Sequence, residues 1–311
     1  MARIVLKVDV DTWRGTREGV PALARTLERF DAPATFLFSL GPDHTGRALR
    51  RVFRRGFFAK VRRTSVLEHY GLRTLLYGTL LPGPDIGRRE QATLRSIAAA
   101  GFETGIHTWD HVRWQDSAAA ASAAWTRTQL RFAVERYGEV FGTRPVVHGA
   151  AGWQMNDAAF RLEAEFGIQV ASDTRGTCPF LPVDESGHPI GPIQIPTTLP
   201  TLDELIGRDG WDAGNVDRAL LDRTQGDGLL HVYTLHAELE GQRLLGTFER
   251  LLAGWRAQGH RFASIGHVLS TLDRLHLPGC RAVAGEIDGR SGALSLQGPA
   301  ILLGALASTT G

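Results

Sequence analysis

Short apolar runs alternate with amphipathic stretches along most of the chain. Ile4–Val8 reads as a buried strand. Val20–Phe30 reads as a helix, because Leu23, Leu27 and Phe30 recur at three- and four-residue spacing. The same reading predicts strands at Ala34–Phe38, Glu103–Ile106, Pro145–Val147, Ile168–Ala171, Ile193–Ile195, Leu229–Leu235 and Arg261–Ala263. Helices are predicted over 87–100, 117–141, Asp157–Phe166, Val216–Thr224, Arg243–Gln258 and His267–Leu275. Strands alternating with helices imply a mostly parallel sheet covered by helices. About seven such units point to an α/β fold, a distorted (β/α)7-type barrel. With no internal repeat and no Pro/Gly/Ser linker, residues 1–278 read as one domain. Residues 40–90 form an insertion in it, and 279–311 a peripheral tail, expected to be a hairpin or partly disordered.

Composition narrows the classes. Hydrophobic residues make up 43% and charged residues 22%, which excludes a disordered tail, a collagen-like chain and a coiled coil. A net charge of +2 argues against a nucleic-acid partner. Two cysteines cannot build a disulfide framework and suggest a reducing compartment. The apolar run at the N-terminus is too short and too charged for a signal peptide. No stretch approaches the roughly 18 apolar residues of a membrane span. The expectation is a cytoplasmic protein, or one peripheral to the cytoplasmic face of a membrane.

Polar residues gather where the predicted strands end. The first strand ends in Asp9-Val10-Asp11, another in His107, another in Ser172-Asp173, and the strand at 229 in His236. In α/β barrels the active site is built on that face. Asp9 and Asp11 are two apart, so both can point to one side of a strand; carboxylates so close repel unless a cation sits on one of them. His107 and His111 are four apart, a spacing that puts both on one face of a helical turn. Asp11 with the two histidines makes a three-ligand set that leaves coordination positions open. Zn²⁺ suits such ligands, and Mn²⁺, Co²⁺ or Fe²⁺ also accept them. Asp9 beside this set can serve as a base and His236 as an acid, a combination suited to hydrolysing an amide or ester.

At these residues, and at Arg144-Pro145 and Thr234-Leu235-His236, the chain resembles the polysaccharide deacetylase (carbohydrate esterase family 4, NodB-like) superfamily. The resemblance extends from about residue 3 to 297. It implies Asp9 as catalytic base, Asp11, His107 and His111 as metal ligands, His236 as general acid, and Asp173 as the acid that orients His236. Two departures stand out. Val10 separates the usually adjacent Asp pair, as in a divergent, deformylating branch of the superfamily. Arg144-Pro145 is only a fragment of the usual third motif. The branch implies removal of the N-formyl group from 4-deoxy-4-formamido-L-arabinosyl undecaprenyl phosphate. Formate would leave, in the pathway that adds aminoarabinose to lipid A and confers polymyxin resistance. The alternative is N-deacetylation of another sugar or a cyclic amide.

A lipid-linked substrate changes how the basic residues read. Of 35 basic residues only Lys7 and Lys60 are lysine, and eight lie between Arg47 and Arg63 with no acid among them. Leu49, Val52, Phe53, Phe57, Phe58 and Val61 draw an apolar stripe through the same segment. A helix packed on the barrel with a solvated arginine face would also fit, but a polyprenyl substrate favours a membrane-surface element. Arg50, Arg51, Phe53, Arg54, Phe57 and Phe58 are therefore expected to touch an anionic membrane surface. Arg14 and Arg175 are expected to bind the substrate phosphate, and Trp109 and Trp153 to stack on the sugar.

Overall fold

The computed structural model describes residues 2–48, 74–226 and 228–301. Its centre is β1 (Arg3–Val10), buried at every residue but the first. Alternation along this strand sorts its side chains between two surroundings. Ile4, Leu6, Val8 and Val10 enter the large core beneath the covering helices, whereas Val5 belongs to a second cluster with Leu37, Val147, Val170, Ile195 and Val232. That second cluster plugs the lumen. Lys7 and Asp9 share the parity of Val5, so they follow it up the lumen.

The sheet grows from β1 in both directions. On one side β1 pairs with β2 (Thr35–Ser39), β2 with β3 (Glu103–Thr108), and β3 with β4 (Val147–His148). Then come β5 (Val170–Ala171) and β7 (Ile193–Gln194). On the other side lies β8 (Leu230–His236), while the start of β1 also pairs with β9 (Arg261–Ala263). All these pairings are parallel. The outer edges nearly meet: the Thr198 and Leu199 amides, just past β7, both donate to Val232 O of β8 at 3.1 Å. The distorted barrel read from the alternation of elements is the observed architecture.

Boundaries differ in instructive ways. The helix expected over 117–141 begins later, as Ala123–Phe141 capped by Ser122 after a 3-10 turn at Ala118–Ala120, and a separate helix, His111–Ser117, capped by the Asp110 carboxylate, precedes it. The closing helix is Ile265–Thr271, begun by Ser264. A short helix, Leu202–Leu205, rests on a reciprocal capping box between Thr201 and Glu204. A second sheet joins β6 (Leu181–Pro182) to the antiparallel hairpin of β10 (Gly279–Gly285) and β11 (Leu294–Ile301). Among the described residues no helix is long and apolar enough to cross a membrane. The expected membrane contacts Arg50, Arg51, Phe53, Arg54, Phe57 and Phe58 lie outside the described residues.

Candidate metal centre and catalytic cleft

The ends of β1, β3 and β8 converge on a cleft lined by Asp9, Asp11, His107, His111 and His236. His107 Nε2 lies 3.3 Å from Asp11 Oδ1, and His111 Nε2 lies 3.3 Å from Asp11 Oδ2. The imidazole rings stack with centroids 5.4 Å apart. Their four-residue spacing is not that of a helical turn. His107 is the penultimate residue of β3 and His111 opens the following helix, so the tight βα turn brings the rings together. A tetrahedral ion with bonds of about 2.0–2.1 Å places its ligand atoms about 3.3 Å apart, so this donor set fits a divalent metal. Asp11 Oδ1 is buried and has no hydrogen bond, as an oxygen reserved for a cation would be. Burial alone would raise the Asp11 carboxyl, but His111, then His107, hold it well below the usual carboxylate range.

Glu238 builds the turn that carries Asp11. Its Oε1 accepts the Asp11 amide at 3.1 Å and the Thr12 amide and hydroxyl at 2.8 Å each. Burial, and then the Asp11 charge, push its carboxyl up to about 8. Gly15 is required here, because a Cβ there would lie 1.9 Å from Glu238 Oε1.

Asp9 has a partner that the sequence reading overlooked. Lys7, fully buried, places Nζ 3.1 Å from Asp9 Oδ2. Room for it comes from Gly149, where a Cβ would lie 2.9 Å from Lys7 Cε and 2.3 Å from Leu37 Cδ1. Arg144, the residue of the fragmentary third motif, is exposed. The signal for Lys7 was present: one lysine inside an apolar strand, two positions before Asp9 and on its face.

His236 has a buried Nδ1 without a hydrogen bond, and its backbone amide donates to Glu240 Oε2 at 2.8 Å. Burial opposes its charge, but Asp203, followed by Asp11 and Glu240, raises its pKa. Asp173, expected to orient His236, is engaged elsewhere. Its Oδ1 lies 2.8 Å from His148 Nδ1 and accepts the Ala150 amide at 2.8 Å, and its Oδ2 accepts Gln194 Nε2 at 2.9 Å. With Glu163 Oε1 at 2.5 Å from His148 Nδ1, it forms a wholly buried triad behind the cleft. These atoms sit at hydrogen-bonding separations, shorter than ligands around one ion allow. Asp203, on the short helix after Thr201, is the carboxylate whose charge does most to raise His236. Nothing in the linear sequence distinguished it from an ordinary first-turn acid.

The expected substrate contacts divide. Trp153 lines the cleft, is fully buried, and donates Nε1 to Thr197 Oγ1 at 3.1 Å. Its φ of 52° is left-handed, a strained conformation for a bulky residue. Three cations surround its ring: Lys7 Nζ at 5.3 Å, Arg175 at 4.9 Å and Arg290 at 4.4 Å from the centroid. Arg175 is not free for a phosphate, because its guanidinium is buried and donates to Glu204 Oε1 at 2.7 Å and Leu199 O at 3.0 Å. Arg14 is paired with Glu18 at 2.9 Å, outside the cleft lining. Trp109 packs its ring against Phe132 and beneath Arg136, outside the cleft lining.

Comparison with known proteins follows the same lines. The polysaccharide deacetylase family profile matches residues 3–171. The chain is 36% identical over 297 residues to "Probable 4-deoxy-4-formamido-L-arabinose-phosphoundecaprenol deformylase ArnD" of Shewanella sediminis (strain HAW-EB3), covering 96% of this chain and 95% of that one. It is 33% identical to the protein of the same name from Wigglesworthia glossinidia brevipalpis, covering 76% and 82%. A probable polysaccharide deacetylase from Pseudomonas aeruginosa PAO1 superposes with a TM-score of 0.61 at 16% identity, over 88% of this chain and 92% of that one, and so shares its fold.

Proposed function

This chain belongs to the polysaccharide deacetylase family, and from that membership and the cleft we propose that it is a metal-dependent amide hydrolase of the deformylating kind. Its substrate is 4-deoxy-4-formamido-L-arabinosyl undecaprenyl phosphate, whose N-formyl group it releases as formate. The reaction belongs to aminoarabinose modification of lipid A and polymyxin resistance. The observation that carries the reading is the convergence of Asp9, Asp11, His107, His111 and His236 on one cleft in a chain similar over nearly its whole length to named deformylases.

Asp11, His107 and His111 are the residues that would hold the divalent ion, Zn²⁺ by ligand type, with Mn²⁺ or Co²⁺ as alternatives. When bound, such an ion polarises the formyl oxygen and lowers the pKa of water towards about 7. Asp9, held beside Lys7, takes the proton of the attacking water. His236, biased towards its protonated form by Asp203, gives a proton to the departing amine as the C–N bond breaks. Asp203 and Lys7 act as positioning residues. Trp153 and Gly152 form the wall against which the sugar rests.

A lipid-linked substrate supports action at a membrane surface, which this reading assigns to the cytoplasmic face. The basic, aromatic segment Arg47–Arg63 supports this reading through its sequence alone. The deciding experiment is metal analysis of the purified protein paired with product analysis on the formamido-arabinosyl lipid phosphate. About one divalent ion per chain and stoichiometric formate are expected. Release of acetate from an N-acetyl sugar, with no formate from the lipid phosphate, would replace the reading with a general N-deacetylase.

A further inference from the structure

The cleft has a wall that neither the metal ligands nor the acid and base explain. It is made by the turn between β10 and β11, which is clamped to the barrel at several points. Gln154 Nε2 donates to Ala293 O at 2.7 Å, and the Met155 amide donates to Ser295 Oγ at 3.1 Å. Arg175 and the hairpin exchange two backbone bonds, Arg175 N to Ser295 O at 3.0 Å and Gln297 N to Arg175 O at 2.7 Å. Gly289, at φ 89°, lies so close to the short helix that a Cβ would stand 2.5 Å from Glu204 O. This docking carries Arg290 from the end of the chain into the catalytic cleft.

Charge gives Arg290 its meaning. The cleft lining includes three carboxylates, Asp9, Asp11 and Asp203. Among the described residues that line it, Arg290 is the one permanent cation. Its Nε donates to Glu204 Oε1 at 2.7 Å, and Nη2 lies 3.6 Å from Asp203 Oδ2 without forming a hydrogen bond. Glu204 Oε1 also accepts Arg175, so Arg175 and Glu204 neutralise one another deep in the wall. Arg290 is left facing the cleft with its flat guanidinium stacked 4.4 Å from the centre of Trp153. An anionic substrate entering between three carboxylates needs a fixed cation, and a stacked guanidinium with spare N–H donors matches the oxygens of a phosphate.

We propose that Arg290 binds an anionic oxygen of the substrate's phosphodiester and so selects a glycosyl phosphate over a neutral glycoside of the same sugar. This rests on the deformylase reading above. The role expected of Arg14 and Arg175 passes to a residue that comes from the C-terminal hairpin.

The test uses the full-length, metal-loaded protein and two soluble substrates. One is the formamido sugar on a short-prenyl phosphodiester, and the other its phosphate-free alkyl glycoside. Formate release is followed for wild type, R290Q and R290K. Wild type should prefer the phosphodiester in kcat/KM. R290Q should shrink that preference about 10- to 100-fold, chiefly through KM, as expected for the loss of a charge-assisted hydrogen bond. R290K, which keeps the charge but not the fork, should fall between. Equal losses on both substrates would overturn the proposal and leave Arg290 as a brace for Glu204. Should R290Q fail to fold, R290K decides: a reduced preference supports the proposal and an unchanged one overturns it. If wild type releases formate from neither substrate, the deformylase reading fails instead.

Discussion

His107 and His236 stand on opposite sides of the proposed chemistry, and their loss should be separable. His107 touches Asp11 at 3.3 Å within the ligand set, whereas His236 lies across the cleft with its Nδ1 unbonded. H107A should lose both the divalent ion and turnover. H236A should keep the ion and lose about 10²- to 10⁴-fold in kcat, the usual worth of a positioned acid. Metal content by atomic spectroscopy and formate release check the pair, and wild-type turnover in H236A would remove His236 from the acid role. The residue types and their chain positions made this constellation readable in advance. Lys7 and Asp203 were not so readable, because a lysine in a strand and an acid in a first helical turn have commoner explanations. Only their distance to Asp9 and their field at His236 give them a role.

The elements behind the cleft carry a charge balance of their own. His148 ends β4, Glu163 comes from the helix Asp157–Phe166, and Asp173 follows β5. Burial opposes a charged His148, but Asp173 and Glu163 raise it to about 10. Burial and then Asp173 push Glu163 up to about 8. Both values exceed the ordinary ones of 6.5 and 4.5, so the folded protein holds more protons than the unfolded chain. The stability they contribute is therefore complete at low pH. It is lost as pH rises, through about 8 for Glu163 and about 10 for His148. Stability measured by denaturant unfolding should decline from about pH 5 up to about pH 10, and E163Q, which mimics the protonated acid, should flatten the part of the decline below about pH 8. A profile unchanged in E163Q would remove Glu163 from the balance. Periodicity had located these elements to within a few residues, yet it could not say that three of them would press one His, one Glu and one Asp together. Nor could it show that the C-terminal segment, open between a hairpin and disorder, would form a hairpin and dock on the short helix holding Asp203.

At the scale of the molecule, the barrel presents one active rim, and the basic segment Arg47–Arg63 follows β2 in the sequence. Each cation near an anionic leaflet contributes about 1 kcal/mol, so removing three should weaken membrane binding on the order of 100-fold. R50Q/R51Q/R54Q should sediment less with phosphatidylglycerol-containing vesicles than wild type does, while still hydrolysing a short-prenyl substrate. Sedimentation equal to wild type would move membrane contact elsewhere. The sequence by itself determined the alternation of strand and helix, the parity that sends Lys7 and Asp9 into the lumen, and the types of residue that can hold a metal. Those are properties of neighbours in the chain, set by side-chain period and donor chemistry. Tertiary structure alone decided which acid faces His236, which cation faces Asp9, and that Arg290 rather than Arg175 lines the cleft. These choices depend on how distant segments close the barrel and share buried charge, and burial makes each pairing obligatory once closure brings the groups together.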